Sequence, residues 1–163
     1  MKSKSLSSAF WITMITSGLV LVNVMPFSTV QASTNISGLI SSDTTWTLTG
    51  SPYIITGDIL VDANVLLNIE SGVVVKFAGG TNLIVDGTLV AEGDKTHPIT
   101  FKSNAESSAS NDWGTINFRG SSTGSILKWV SVSYASDGVT VTSGSPTIDH
   151  CSITDNQRYG IYV

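Results

Sequence analysis

Beyond residue 33 the apolar positions recur at every second residue in short runs. These are Ile59/Val61, Leu67/Ile69, Val73/Val75/Phe77, Leu83/Val85, Leu89/Ala91, Ile99/Phe101, Ile116/Phe118, Val130/Val132, Val139/Val141 and Ile161/Val163. Successive side chains of a strand point to opposite faces, so period two marks β-structure with one apolar side. Glycines punctuate the runs, among them Gly57, Gly72, Gly87, Gly120, Gly138 and Gly160. No window of helical spacing persists in this part of the chain, which is therefore read as all-β.

Internal repetition decides between a sandwich and a solenoid. Ser125–Val132 lies over Pro146–Ile153 at an offset of 21, pairing Leu127 with Ile148, Val130 with Cys151 and Val132 with Ile153. One strand further on, Ile116/Phe118, Val139/Val141 and Ile161/Val163 follow one another at steps of 23 and 22. A Greek-key sandwich has no reason to keep so even a step. A β-solenoid does, because each coil stacks its inward residues on their equivalents in the neighbouring coils. Coils of about 22 residues with two or three short strands each are expected.

The residues that repeat also carry a family resemblance. Gly138-Val-Thr-Val-Thr-Ser-Gly-Ser-Pro-Thr-Ile-Asp-His-Cys-Ser-Ile-Thr-Asp-Asn-Gln-Arg-Tyr-Gly160-Ile-Tyr-Val resembles the repeat of right-handed parallel β-helix proteins of the pectin-lyase-like superfamily. The segments Gly72–Phe77, Leu83–Gly93 and His97–Phe101 are similar to the N-terminal coils of secreted members of that group. The resemblance covers roughly residues 46–163. It implies the fold and leaves activity open, since the superfamily holds lyases, hydrolases, epimerases, adhesins and non-catalytic surface proteins.

Composition and the N-terminus set the context. Lys2 and Lys4 precede an apolar run from about Ala9 to Val24, followed by Pro26 and then Val30-Gln31-Ala32, with small residues where a signal peptidase needs them. Thr13, Thr16, Ser17, Gly18 and Asn23 interrupt a run shorter than the roughly 20 apolar residues of a membrane span. Residues 1–32 are therefore read as a cleavable signal peptide, 33–45 as a lead-in, and 46–163 as the β-helix domain, incomplete at its C-terminus. A secreted or cell-surface location follows, with no transmembrane span in the mature chain. Cleavage leaves six bases against twelve acids, a net charge of −6. With the bases scattered, nucleic acid is excluded as a partner. Cys151 stands alone and is read as a small buried hydrophobe with no chemistry assigned.

Function in such a fold must lie on outward positions and in loops. If Ile116, Phe118, Val139, Val141, Ile161 and Val163 face inward, then Asn117, Thr140 and Tyr162 form one outward column, with Arg119 and Thr142 in the next. Such a flat polar ladder with one aromatic offers hydroxyls, amides and a ring to a sugar chain, or is simply a solvated sheet face. The loop Ser103–Asp112 adds about seven residues to its coil, with a tip expected to be mobile. Trp113 at its end is either a sugar platform or packs back over the coil. At the polar start of the domain, Trp46 is a candidate cover for the first coil.

Catalysis has little to stand on. Asp137, Asp149, His150, Asp155 and Arg158 come nearest to a set of acids, base and cation. Yet the hydrolase signatures of the resembled family, Asn-Thr-Asp, Asp-Asp, Gly-His-Gly and Arg-Ile-Lys, are absent. Asn156 fits the turn asparagine of β-helix coils, and His150 an outward position opposite Trp129. No catalytic residue, metal site or cofactor is expected; the carboxylates form no dense loop, and aligned Thr-x-Thr pairs for ice binding do not recur. The leading expectation is a secreted non-catalytic module that binds carbohydrate or serves as a surface scaffold. The alternative is the N-terminal part of a polysaccharide lyase or glycoside hydrolase. Residues 33–163 are also expected to self-associate through the C-terminal coil.

Overall fold

The computed structural model describes residues 32–120 and 123–163. The segment assigned to export lies outside these residues, apart from Ala32. Among the described residues fifteen strands follow one another: β1 (Thr34–Ile40), β2 (Thr44–Trp46), β3 (Tyr53–Val61), β4 (Leu66–Ile69), β5 (Val74–Phe77), β6 (Leu83–Val85), β7 (Thr88–Glu92), β8 (Ile99–Ser103), β9 (Ile116–Phe118), β10 (Ile126–Lys128), β11 (Val130–Ser133), β12 (Asp137–Val141), β13 (Thr147–Asp149), β14 (Ser152–Thr154) and β15 (Tyr159–Tyr162). Among the described residues the only helix is one 3-10 turn, Leu48–Gly50.

All the strand pairs are parallel, and the strands wind through three faces in a fixed order. Face I stacks the second half of β3 on β6, β9, β12 and β15. Face II stacks β2, β4, β7, β10 and β13. Face III stacks the first half of β3 on β5, β8, β11 and β14. At nine residues β3 is long enough to round the corner between faces III and I. β1 pairs along its whole length, with its register shifting between Ile36 and Gly38. Gly38 sits there at φ 92, in the left-handed region that side chains disfavour. Strand pairing thus begins at Thr34, inside the stretch read from the sequence as a lead-in. That stretch, Thr-Asn-Ile-Ser-Gly-Leu-Ile, shows no clean alternation, because its pairing comes from β3 rather than from a pattern of its own.

The interior is a continuous apolar stack. Ile59, Val61, Leu83, Val85, Ile116, Phe118 and Val139 of face I are fully buried, as are Leu67, Leu89 and Leu127 of face II and Val75, Phe101 and Val132 of face III. Each such residue contributes roughly 1.5–3 kcal/mol by leaving water. Only stacking of coil on coil makes that burial possible. Trp46 turns inward from β2 and stacks on Tyr53, ring centroids 5.0 Å apart. Every inward position expected from the period-two runs through Val139 is buried. Val141 is partly buried, while Ile161 and Val163 on the last coil are exposed.

The repeat is regular where the corners are tight and breaks where residues are inserted. Leu67 pairs with Leu89 and Tyr53 with Val75, steps of 22; Ile126 pairs with Thr147, a step of 21. Between these, Val75 pairs with Phe101 and Val90 with Ile126, steps of 26 and 36. The tight corners use left-handed residues at equivalent places in successive coils. Trp129 (φ 49) and His150 (φ 50) turn the chain from face II to face III, and Tyr134 (φ 67) and Asp155 (φ 56) turn it from III towards I. The left-handed residue is therefore Asp155. Asn156, expected to play that part, instead accepts a 2.8 Å hydrogen bond from the Ala135 amide of the preceding coil. Cys151 is half-buried against the core; its thiol donates to the Leu127 and Asp149 carbonyls at 3.3 Å, and burial pushes its pKa up.

Candidate functional site

Face I presents three outward columns. The central one runs Leu60, Ile84, Asn117, Thr140, Tyr162, each in register with the next. Its upper half is apolar and its lower half polar. On one side stand Asp86, Arg119 and Thr142; on the other Asn82 and Thr115. Successive strands are about 4.8 Å apart, so side chains in one column touch their neighbours.

These groups bond to one another. Arg119 donates to both oxygens of Asp86, at 2.7 and 3.2 Å, and the carboxylate raises its pKa. The Thr142 hydroxyl donates to Asn117 Oδ1 at 3.1 Å, which leaves the Asn117 amide hydrogens outward. Thr115 and Thr140 share a hydrogen bond of 3.0 Å. Asn82 donates to Asp58 and accepts from the Thr115 amide. From Asn117 down, these bonds make a pre-ordered polar surface.

At the lower end the surface gains relief. Tyr162 and Tyr159 stand with ring centroids 5.3 Å apart, both about half exposed. Beside them Arg158 forms an ion pair with Asp137, whose side chain is almost wholly buried. Together the four line a cavity of about 230 Å³. Asp137 Oδ1 has no hydrogen-bond partner. Sequence reasoning placed Tyr162 in the column and missed Tyr159. The signal was there in the register, since Tyr159 pairs with Asp137, but the period-two pattern starts two residues later, at Ile161.

Trp113 is a correction. It is 1% exposed and stacks on Phe77, ring centroids 4.0 Å apart and planes 9° from parallel. Its Nε1–H donates to the Ser133 carbonyl at 2.9 Å. It is a wall of the core at the corner between faces III and I and offers no ring to a sugar. Ahead of it the tip of the loop, residues 104–111, is exposed. Its base is clamped: Asn111 and Asp112 donate to carbonyls of Ala135 and Tyr134 in the next coil, and the Asp112 carbonyl accepts from Gly80 in the preceding one. The Ser103 hydroxyl and the Ala109 amide hold the Asp112 carboxyl below its usual pKa.

The remaining acids and base do not converge. His150 meets Asp149 at 2.6 Å and lies tilted against Trp129, ring centroids 4.4 Å apart, at the corner between faces II and III. Asp137 and Arg158 lie at the other corner, and Asp155 is spent on a turn. Among the described residues no three His, Cys, Asp or Glu side chains gather as a metal site, and no helix is long and apolar enough to cross a membrane.

Parallel strands, three faces, a stacked apolar interior and outward polar columns define a right-handed parallel β-helix protein. The chain belongs to the pectate-lyase like beta helix domain family, whose description matches residues 38–143. No curated protein and no solved structure gives a significant match.

Proposed function

We propose that this protein is an exported, non-catalytic β-helix module that holds a polysaccharide against face I, outside the cell or at its surface. The observation that carries this reading is the in-register column Asn117, Thr140, Tyr162, ending beside the Tyr159 ring and the Arg158–Asp137 pair. A sugar ring stacks its apolar side on an aromatic and bonds its hydroxyls to amide and hydroxyl neighbours. Asn117, Thr140, Thr142 and Arg119 supply the polar contacts, and Tyr162 with Tyr159 the stacking. The Arg119–Asp86 pair leaves this part of the surface near neutral, which favours a neutral glycan there.

The test is titration of the secreted protein with neutral glycan oligomers by calorimetry. Tyr162→Ala and Tyr159→Ala are each expected to weaken binding about 2- to 12-fold, the worth of one aromatic contact; unchanged affinity in both would overturn the reading. Family membership supports the second reading, an N-terminal portion of a polysaccharide lyase or glycoside hydrolase. New reducing ends or unsaturated products from the same glycans would put that reading ahead.

A further inference from the structure

Among the described residues two buried side-chain polar atoms have no hydrogen-bond partner, Asp137 Oδ1 and Asn156 Nδ2. Both stand at one corner, where the chain turns from face III to face I in the last two coils. Asp137 opens β12, and Asn156 follows the left-handed Asp155. Folded proteins leave few buried polar atoms open, so each such atom marks the place of a missing partner. This corner lacks one donor and one acceptor, and a hydroxyl offers both.

The corner is also a cavity. Asp137, Arg158, Tyr159 and Tyr162 line about 230 Å³, less than the roughly 300–1,000 Å³ that takes a drug-sized ligand. One ring fits, whereas a stretch of chain does not. The Asp137 side chain is 8% exposed and that of Arg158 60%, so the acid is the fixed part of the lining and the arginine the part able to shift. The Asp137 amide donates to the Gly114 carbonyl of the preceding coil at 3.3 Å, and Tyr159 pairs with Asp137 from the next. With Oδ2 held by Arg158, the pair is neutral and calls for an uncharged group that donates to Oδ1.

Position adds a direction. The column Asn117, Thr140, Tyr162 descends face I and meets the cavity at its foot. A sugar inside a chain is linked on both sides and lies along such a column. A terminal sugar carries a free hydroxyl in place of one linkage, so it alone can turn into a recess of one-ring size.

We infer that the cavity is an end pocket, taking the terminal unit of a neutral glycan whose free hydroxyl donates to Asp137 Oδ1 while the Tyr159 and Tyr162 rings flank its apolar side. The inference rests on the glycan reading of face I and narrows it from chains to chain ends. A hydrogen bond to a carboxylate is stronger than one between neutral groups, so the end unit contributes more than any one contact along the column.

The experiment is calorimetric titration of the protein with maltohexaose, isomaltohexaose and laminarihexaose, each beside the soluble polymer of the same linkage, amylose, dextran and laminarin, at equal sugar mass. A hexamer that binds is expected to lose about ten-fold in affinity on Asp137→Asn, and its polymer to bind more weakly in proportion to its fewer ends. Asn117→Ala is expected to weaken hexamer and polymer together and leave their ratio unchanged. Lys128→Gln, on face II in register with Glu92 and Asp149, is the control and should alter neither. Polymer binding that equals hexamer binding at equal sugar mass, or wild-type affinity in Asp137→Asn, overturns the end pocket and leaves the glycan reading standing. Absence of binding by every probe overturns both. The comparison of hexamer with polymer needs wild type alone, and equal melting temperatures of wild type and Asp137→Asn show that a loss in the variant is not one of folding.

Discussion

Face I and face III are cut from the same alternating strands, yet their outward groups treat one another differently. On face I the arginine meets its carboxylate and the hydroxyls and amides bond in chains. On face III two lysines stand together without an acid, above columns of serine and threonine. The difference teaches that in a solenoid the composition of a face says less than its register. One lysine is an ordinary surface residue, whereas two in adjacent coils are a local field. Both faces rest on the same interior, so some changes break the two together and others touch only one.

The largest effect is expected at their shared support. Trp113→Ala removes the ring that stacks on Phe77 at the corner between the faces and should cost about 3–5 kcal/mol, read by chemical denaturation; a loss under about 1 kcal/mol would show the corner to be carried by other contacts.

Next, Gly138→Ala strikes the last coils, where β12 of face I lies against β14 of face III. A Cβ there would run into Ile153 Cγ2, the Gly160 carbonyl and the Asn156 amide, and overpacking of this kind costs about 1–3 kcal/mol. The glycan affinity of face I should drop with it, because Tyr159 and Tyr162 stand on β15, paired directly with β12.

A smaller change sharpens the contrast by giving face I an unpaired charge of its own. Arg119→Met leaves Asp86 without its partner, and because the arginine side chain is 43% exposed the stability loss should be small and screened by salt. The measurement is the thermal midpoint in low and high salt, whose difference from wild type should shrink as salt screens the pair.

The smallest effect lies at the corner before face III. Bonds from the Thr96 hydroxyl, then the Thr96 and His97 amides, hold the Asp94 carboxyl far below its ordinary 3.8. A depressed folded pKa gives stability that is full above the unfolded value and fades as pH falls towards the folded one. The melting difference between wild type and Asp94→Ala should therefore be constant above about pH 5 and close in acid. A difference that widened in acid would mean that the carboxyl is not bound as its hydrogen bonds require.

Legibility followed the corners. From Ser125 onward, where coils step by 21 to 23, the pairings of Leu127 with Ile148, Val132 with Ile153 and Val139 with Ile161 were readable by offset alone, and the structure places them so. The outward column of Asn117, Thr140 and Tyr162 came from the same arithmetic. Lys76 and Lys102 were not readable as partners, because the inserted corner Asp94–Pro98 stretches their step to 26. Trp113 was ambiguous because a tryptophan after a polar loop fits either a platform or a plug. Its burial depends on the space left beside Phe77, which no local pattern reports.

By itself, then, the sequence determined the class of fold. Period-two burial and a near-constant coil length are local and additive properties, and a stack of parallel coils is the one architecture that satisfies both. Only the tertiary structure decided which outward groups meet. Neighbours across coils are set by how many residues each corner consumes. A corner turned by one left-handed residue, as at Trp129 and His150, preserves the step. A loop clamped to the coils on either side, as at Asp112, changes it without disturbing the interior.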